Sequence, residues 1–383
     1  MKFTVNKHYF GHALQQVCSI VGTRTLVPGL SNVLLEIDQQ QLTLATTNFD
    51  LSIRCRCSIK TESTGSIALP VRKLLTVIRS LSATEVVVDI SRHHQARITS
   101  GSSEFKIMGT EKSQFPELPN LLQGTAVEFD QEEFQIMLRN VAYAQSSNAN
   151  RKILNGVCFN IKNNQLTLVS TDGKRLALHN RAHEFNGEFK ESIVIPTKTV
   201  NELQRLLGQG SKLLIRYTGR QVSFDVDTNK DSGLRQLIGS TSLISKLVEG
   251  QYPDFLKVVP KTINHKVKLQ RDYLQQCIKR ASLMTNDEYN SIMLTFAANT
   301  LQVKSCSPEF GEFIDTMEIA YDGPAISLAF NPQYILDPLK SLTVDEISFG
   351  FNDEYSPGVI TTTEGYTCVI MPLRINRESI PFD

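Results

Sequence analysis

The segment FTVNKHYFGHALQQV, Phe3 to Val17, has a pattern that comes back twice, as VEFDQEEFQIMLRNV (Val127 to Val141) and as VKLQRDYLQQCIKRA (Val267 to Ala281). Each copy starts with three residues that alternate apolar and polar, as a strand with one buried face does. Apolar positions then follow four and three apart, the spacing of one helix face. Val5, Phe10, Leu14 and Val17 fall on Phe129, Phe134, Leu138 and Val141 at a constant offset of 124. At an offset of 264 they fall on Leu269, Leu274, Ile278 and Ala281. Strand, short turn and helix therefore occur three times.

The correspondence runs on downstream. Asn32 to Leu51 overlies Gly156 to Arg175 at the same offset, so Gln41-Leu42-Thr43-Leu44 falls on Gln165-Leu166-Thr167-Leu168, with Leu301-Gln302-Val303 as the third copy. A second helix is introduced by Ile67-Ala68-Leu69-Pro70, by Ile193-Val194-Ile195-Pro196 and by Leu328-Ala329-Phe330-Asn331-Pro332. Its apolar stripes end at Leu81, Leu207 and Leu342, and the prolines are expected in its first turn, where a missing N–H costs nothing. Alternating strands such as Glu85 to Ile90, Lys212 to Tyr217 and Ile347 to Phe351 close each copy. The fold class is α+β, three tandem units with two helices each. Pro and Gly cluster near Gly124 and near Phe255 to Pro260, which sets the expected domains at 1–124, 125–256 and 257–375, with 376–383 as an extension.

At 383 residues the chain exceeds what one core of ~250–300 residues holds, which agrees with several domains. Composition is that of an ordinary globular protein, 41% hydrophobic and 21% charged. No apolar run approaches the ~18–20 residues of a membrane span, and Met1-Lys2-Phe3-Thr4-Val5 enters a strand pattern directly, without a signal-type apolar region. The seven cysteines, Cys18, Cys55, Cys57, Cys158, Cys277, Cys306 and Cys368, are odd in number and scattered, as reduced thiols of a cytoplasmic protein are. The net charge of +1 is unevenly spread. Lys7, Arg72, Lys73, Arg79, Arg139, Lys198, Arg205, Arg271, Lys279, Arg280 and Lys340 lie in the expected helices, against Glu132, Glu133, Glu202, Asp272 and Asp337. The helices thus carry a surplus of six positive charges, and the rest of the chain is net negative. That is the footprint of a protein that holds a polyanion, although Lys and Arg are also ordinary residues of a solvated helix face.

No catalytic constellation is present. The phosphate-loop, dinucleotide, metalloprotease, nucleophile-elbow and Cys-x-x-Cys motifs are all missing. His179 and His183 stand four apart, but Arg181 lies between them and no further ligand follows, so they are read as surface histidines. Thr171-Asp172-Gly173-Lys174-Arg175 directly follows a strand pattern and reads as a turn rather than an acid/base loop. No cofactor or metal is expected. A dispersed enzyme site remains the losing alternative. In β-rich units end to end, one strand edge stays open at each terminus, and open edges pair or aggregate. Two copies head to tail would pair both edges and close a ring.

Several motifs together resemble the bacterial β sliding clamp, the processivity subunit of DNA polymerase III. They are Met1-Lys2-Phe3-Thr4-Val5, Leu154-Asn155-Gly156, Ser170-Thr171-Asp172-Gly173-Lys174-Arg175-Leu176-Ala177, the run Ser245 to Phe255 (SKLVEGQYPDF) and Met371-Pro372-Leu373-Arg374-Ile375. The resemblance covers residues 1–375 in order. It implies three clamp domains, a head-to-tail dimeric ring with twelve helices lining the hole, and duplex DNA passing through it. It makes the chain an accessory subunit rather than an enzyme. Its implied partners are a second copy, the replicative polymerase, a clamp loader, and repair polymerases, ligase and mismatch-repair proteins that carry short linear motifs. The family's DNA-contacting positions fall on Arg24, Arg72, Asn148, Arg151, Lys152 and Ile153.

Its groove for a peptide of the Gln-Leu-Ser/Asp-Leu-Phe kind falls on Leu154, Thr171, Gly173, Lys174, Arg175, Leu176, Pro253, Val258, Tyr355, Pro357, Val369, Ile370, Met371, Pro372, Leu373, Arg374 and Ile375. This is an apolar slot edged by Arg175 and Arg374. Phe105 on the first unit, with Leu283 and Met284 on the third, is expected at the dimer contact. Two departures stand out: Asn376 to Asp383 runs past the usual family end, and Asn229 to Gln236 lengthens a loop. The runner-up is a β-rich protein-assembly scaffold with no DNA role.

Overall fold

Each quoted segment folds as its periodicity requires. A strand runs straight into a helix: α1 is Lys7–Cys18, α3 Gln131–Ala142 and α5 Arg271–Ala281. The second helices are α2, Val71–Ser80, α4, Thr197–Leu206, and α6, Pro332–Ser341. The structure is a computed structural model that describes residues 1–22, 27–90, 93–120, 126–162, 164–183, 192–227 and 238–374. These six are the α-helices among the described residues, and none is long and apolar enough to cross a membrane. Apolar positions of the stripe face inward: Phe10, Leu14 and Val17 are fully buried, as are Leu274 and Ile278. The prolines differ from expectation. Only Pro332 occupies the first helical turn; Pro70 and Pro196 end the preceding strands, and Asn331 caps α6 through its side chain on the Gln333 amide at 2.8 Å.

The chain divides into two compact units. The first, residues 1–135 and 198–247, holds two antiparallel sheets. One has the order Lys60–Ser63, Lys2–Asn6, Glu85–Ile90, Gln95–Ser100, Ser103–Met108. The other runs Val127–Asp130, Lys212–Tyr217, Gln221–Val226, Ile238–Lys246, Leu51–Ser58, Gln41–Thr47, Asn32–Asp38, Gly65–Pro70. The second unit, residues 136–197 and 248–383, also holds two. Its larger sheet runs His265–Gln270, Glu346–Phe351, Gly358–Thr361, Tyr366–Ile370, Arg175–Ala182, Gln165–Thr171, Gly156–Lys162, Ser192–Pro196. Strand for strand, this is the order of the larger sheet in the first unit. Each eight-stranded sheet therefore joins the first and late strands of one repeat to the strands between them in another, at Ile238–Lys246 against Leu51–Ser58 and at Tyr366–Ile370 against Arg175–Ala182. The four-stranded sheet, Gly311–Glu318, Thr300–Ser307, Ile292–Ala297, Ile326–Phe330, repeats the early half alone.

One hydrogen bond is repeated in all three copies. A buried hydroxyl on an early strand donates to a carbonyl in the last turn of the first helix: Thr46 to Val17 at 2.6 Å, Ser170 to Val141, and Ser305 to Ala281 at 2.8 Å. Helix ends leave such carbonyls without an intrahelical partner, and a sheet hydroxyl here serves as the cap. All seven cysteines are outside disulfides. Burial pushes Cys55 and Cys368 up to about 11, and Cys158 and Cys277 up to about 12.

Candidate functional site

The resemblance places a groove between the second and third repeats, and there, within the compact unit of residues 136–197 and 248–383, an apolar cluster forms. Leu154, Leu176 and Val369 are buried together with Cys158, Val169, Leu178, Val194, Tyr252 and Phe255. Ile153, assigned by position to a DNA contact, packs its side chain against this cluster. Around it lie exposed apolar residues, among them Val258, Met371 and Leu373, while Pro253 and Arg374 are exposed as well. The strand from Val369 does not stop at Ile370. Met371 donates its amide to the Lys174 carbonyl at 3.0 Å, and Leu373 donates to Ala329 at 2.8 Å, so the Met371 to Arg374 segment is tied at two points. Gly358 pairs with Ile370, which sets Pro357 beside Met371. Tyr355, 69% exposed, stands on a turn whose Asp353 carboxylate accepts its amide at 2.8 Å. Ile375 and Arg24 lie outside the described residues, as do Gly124, Asn229 to Gln236 and the extension 376–383.

The turn at Thr171 is built by its own side chains. Asp172 Oδ1 accepts the amides of Lys174 and Arg175 at 2.9 and 3.0 Å, and Thr171 Oγ1 accepts that of Gly173 at 3.1 Å. Gly173 sits at φ +89, the left-handed region that only glycine adopts freely. Asp172 is therefore a turn cap. Arg175 is not a free cation on the groove's edge, since its side chain is only 9% exposed. It holds Asp172 at 3.1 Å and Asp337 at 2.5 Å, donates to the Tyr143 carbonyl at 3.0 Å, and lies over the Tyr143 and Tyr334 rings. Burial works against its charge, but the Asp337 and Asp172 carboxylates outweigh it and raise its pKa above the ordinary value. Arg175 thus fastens the groove to α6, leaving Lys174 and Arg374 as the exposed cations among the residues assigned to the groove. His179 is a correction: it is buried, with ring nitrogens 3.1 Å from Asn140 Nδ2 and 3.0 Å from the Glu364 carbonyl.

On the polyanion side, Arg72 is exposed at the start of α2, with one guanidinium nitrogen 2.5 Å from the Val21 carbonyl. Ser147 to Lys152 is exposed throughout, a loop closed by Asn148 Oδ1 on the Asn150 amide at 2.9 Å and a 3-10 turn at Lys152–Leu154. Arg151 rests against Gly173. Seven of the eleven helix cations are exposed. The other four are half-buried, and three of these are held internally: Lys7 on the Leu81 carbonyl, Arg205 on Gln16 at 2.6 and 2.9 Å, and Arg271 on Val344 at 2.6 Å. Phe105 is partly exposed on the outer strand Ser103–Met108, while Leu283 is 70% exposed and Met284 half-buried in a turn packed on the outer strand Gly311–Glu318.

Sequence reasoning missed Tyr252 and Phe255 as walls of the groove, and Asp337, Tyr143 and Tyr334 as the holders of Arg175. A signal existed for the first two. Gln114-Phe115-Pro116-Glu117-Leu118 recurs as Gln251-Tyr252-Pro253-Asp254-Phe255, and the aromatic of each is buried. None existed for Asp337, which is 162 positions from Arg175.

Three family models match end to end: the N-terminal, central and C-terminal domains of the DNA polymerase III beta subunit, over residues 1–119, 128–254 and 256–374. The chain belongs to that family. The beta sliding clamp of Chlamydia pneumoniae is 30% identical over 378 residues, 99% of this chain and all of the relative. That of Vibrio cholerae is 27% identical over 379 residues, 98% of this chain and all of the relative. Among solved structures, the DNA polymerase sliding clamp of Bacillus subtilis superimposes with a TM-score of 0.91 at 26% identity, and the DNA polymerase III subunit beta of Pseudomonas aeruginosa with 0.90 at 25%. Each comparison covers 98% of this chain and all of the other. The fold is the three-domain sliding-clamp fold, and the beta-subunit family is an accessory, processivity-conferring part of the replicative polymerase.

Proposed function

We propose that two copies of this chain close head to tail into a ring around duplex DNA. The ring tethers the replicative polymerase, and other replication and repair proteins, through short linear motifs taken by the groove at Leu176 and Val369. One observation carries the ring. The outer strand Ser103–Met108 is the counterpart of Ile238–Lys246 and Tyr366–Ile370, while the outer strand Gly311–Glu318 is the counterpart of Leu51–Ser58 and Arg175–Ala182. Those counterparts pair with each other at both internal seams. The same pairing between copies closes the ring and covers Phe105, Leu283 and Met284. Three domains per chain, 1–124, 125–256 and 257–375, give six around the ring, with twelve helices toward the hole.

The physics of holding DNA favours enclosure. Non-specific binding has a Kd of ~10⁻⁴–10⁻⁶ M, and with association near 10⁸ M⁻¹s⁻¹ a phosphate-binding patch lets go in roughly a millisecond. A closed ring removes that limit, so Arg72, Arg151 and Lys152 touch phosphates weakly enough to slide, and no base needs to be read. An opener driven by ATP and a cytoplasmic location are implied by the same reading. The deciding experiment loads the protein onto nicked circular DNA and then linearises it. Retention on the circle with escape from the ends is expected; equal retention on both, as a scaffold indifferent to topology would give, refutes the ring.

A further inference from the structure

The repeat sets a second place beside the groove's own, within the unit of residues 1–135 and 198–247. There Ser52 pairs with Ile244 as Leu176 pairs with Val369. Leu34, Ala45, Ala68 and Phe115 form a buried cluster with Leu118 against it, the counterparts of Cys158, Val169, Val194, Tyr252 and Phe255. The turn is the same as well. Asn48 Oδ1 accepts the Asp50 and Leu51 amides at 3.2 and 2.9 Å, and Thr47 Oγ1 accepts that of Phe49 at 3.2 Å. A cavity of about 880 Å³ opens here, with Phe49, Ser52, Arg54, Ile244 and Lys246 among its walls, together with the Asp50 and Glu117 carboxylates.

Two features of this cavity are unexplained by the fold. Phe49 lies at φ +70, in the turn position that Gly173 fills at +89. A bulky side chain is strained in left-handed backbone, and the usual compensation, burial, is missing because the ring is 54% exposed. Arg54 stands where the other copy has Leu178. One of its terminal nitrogens donates to the Pro119 carbonyl, but its Nε is shut away from solvent with no partner among the described residues. A desolvated donor without an acceptor is costly and calls for one. Lys246, in place of Met371, is matched by Asp50 at 3.0 Å, whereas Arg54 has no carboxylate at ion-pair distance among the described residues; Glu36 acts on it from farther off and is itself paired with Lys112.

We infer that this cavity is a second peptide-docking site, for an extended partner segment that lays an apolar side chain on Phe49 and offers a carboxylate to Arg54. The groove at Leu176 takes two apolar anchors. The exchange of Leu176 for Ser52 and Leu178 for Arg54 makes this cavity select an apolar residue joined to an acidic one. A partner carrying both motifs would be held twice by one chain, and avidity follows without any new contact at the groove.

The test uses the full chain and a fluorescein-labelled Gln-Leu-Asp-Leu-Phe peptide, which carries both chemistries. Titration calorimetry should show two binding events per chain. Phe49→Gly, Arg54→Met and the Asp-to-Asn peptide should each weaken the second, looser event by about tenfold, the loss of one buried anchor, and leave the first unchanged. Phe49→Gly should also raise Tm by about 1–2 °C, the shift that relief of modest strain gives in a protein of this size, so a loss of binding is not a loss of folding. One event per chain, a second event indifferent to both substitutions, or a lowered Tm in Phe49→Gly overturns the inference. Loss of the first event alone counts against the groove and leaves this cavity standing.

Discussion

Three hydroxyls show what single atoms do here. Thr46, Ser170 and Ser305 are each fully buried, and each caps the last turn of the helix packed above it. A hydrogen bond of this kind contributes about 1 kcal/mol net; removing the donor costs up to ~3 kcal/mol where it leaves the carbonyl unpaired, and less at Val141, whose carbonyl keeps the Ala144 amide at 3.1 Å. Thr46→Val, which keeps the shape, and Ser170→Ala should each lower the free energy of urea unfolding by about 1–2 kcal/mol. The two sites lie in different units, so their effects should add. A double variant no less stable than either single one would show that the bonds are incidental. These residues sit at equivalent points of the repeat, yet serine and threonine on a strand give no hint of where they point. The same blindness applied to Arg175. Its chemistry was visible, but its occupation by Asp337 and the Tyr143 carbonyl follows only from tertiary register.

At the level of elements, the helices were legible because burial imposes periodicity. Phe10, Leu14 and Val17 had to share a face whatever the rest of the chain did. Their charge was legible as a number but not as a function. Lys7, Arg205 and Arg271 proved to be holding backbone or side-chain oxygens, which leaves a smaller set, Arg72, Lys73, Arg79 and Lys198 among it, exposed to meet a polyanion. His179 was misjudged for a related reason, since on a strand its neighbours are across the sheet rather than along the chain. Each phosphate contact releases counterions, so Arg72→Ala should weaken binding equally across DNA sequences and flatten the log–log salt dependence by about 1 unit. Lys152→Ala should do the same. Measurements of affinity on linear duplex between low and moderate salt decide it: an unchanged slope removes either residue from the interface.

For the proposed ring, the internal seams specify the pairing expected at the closing one. Counting along the pairings, Phe105 stands where Leu243 and Cys368 stand, and Phe313 where Ile53 and Ala177 stand. Leu243 faces Ile53 and Cys368 faces Ala177, so Phe105 should face the partner subunit's Phe313, and Lys106 the partner subunit's Glu312. Lys106→Glu and Glu312→Lys should each loosen the dimer through like charges set opposite one another, and the doubly reversed protein should recover it. Sedimentation equilibrium reads the outcome, and a double variant as weak as the singles would refute this register.

The two seams described in the fold have one more consequence. Each repeat, as written in the chain, divides its strands between two sheets, the first and the late ones in one and those between them in the other, and the middle copy is also divided between the two compact units. Duplication and sheet pairing are therefore out of step by half a period: the chain repeats in whole copies, while its two large sheets each draw on two of them. An ancestor with a single copy would have had nothing but unmatched halves, and so had to find its own twin before it could become a stable object.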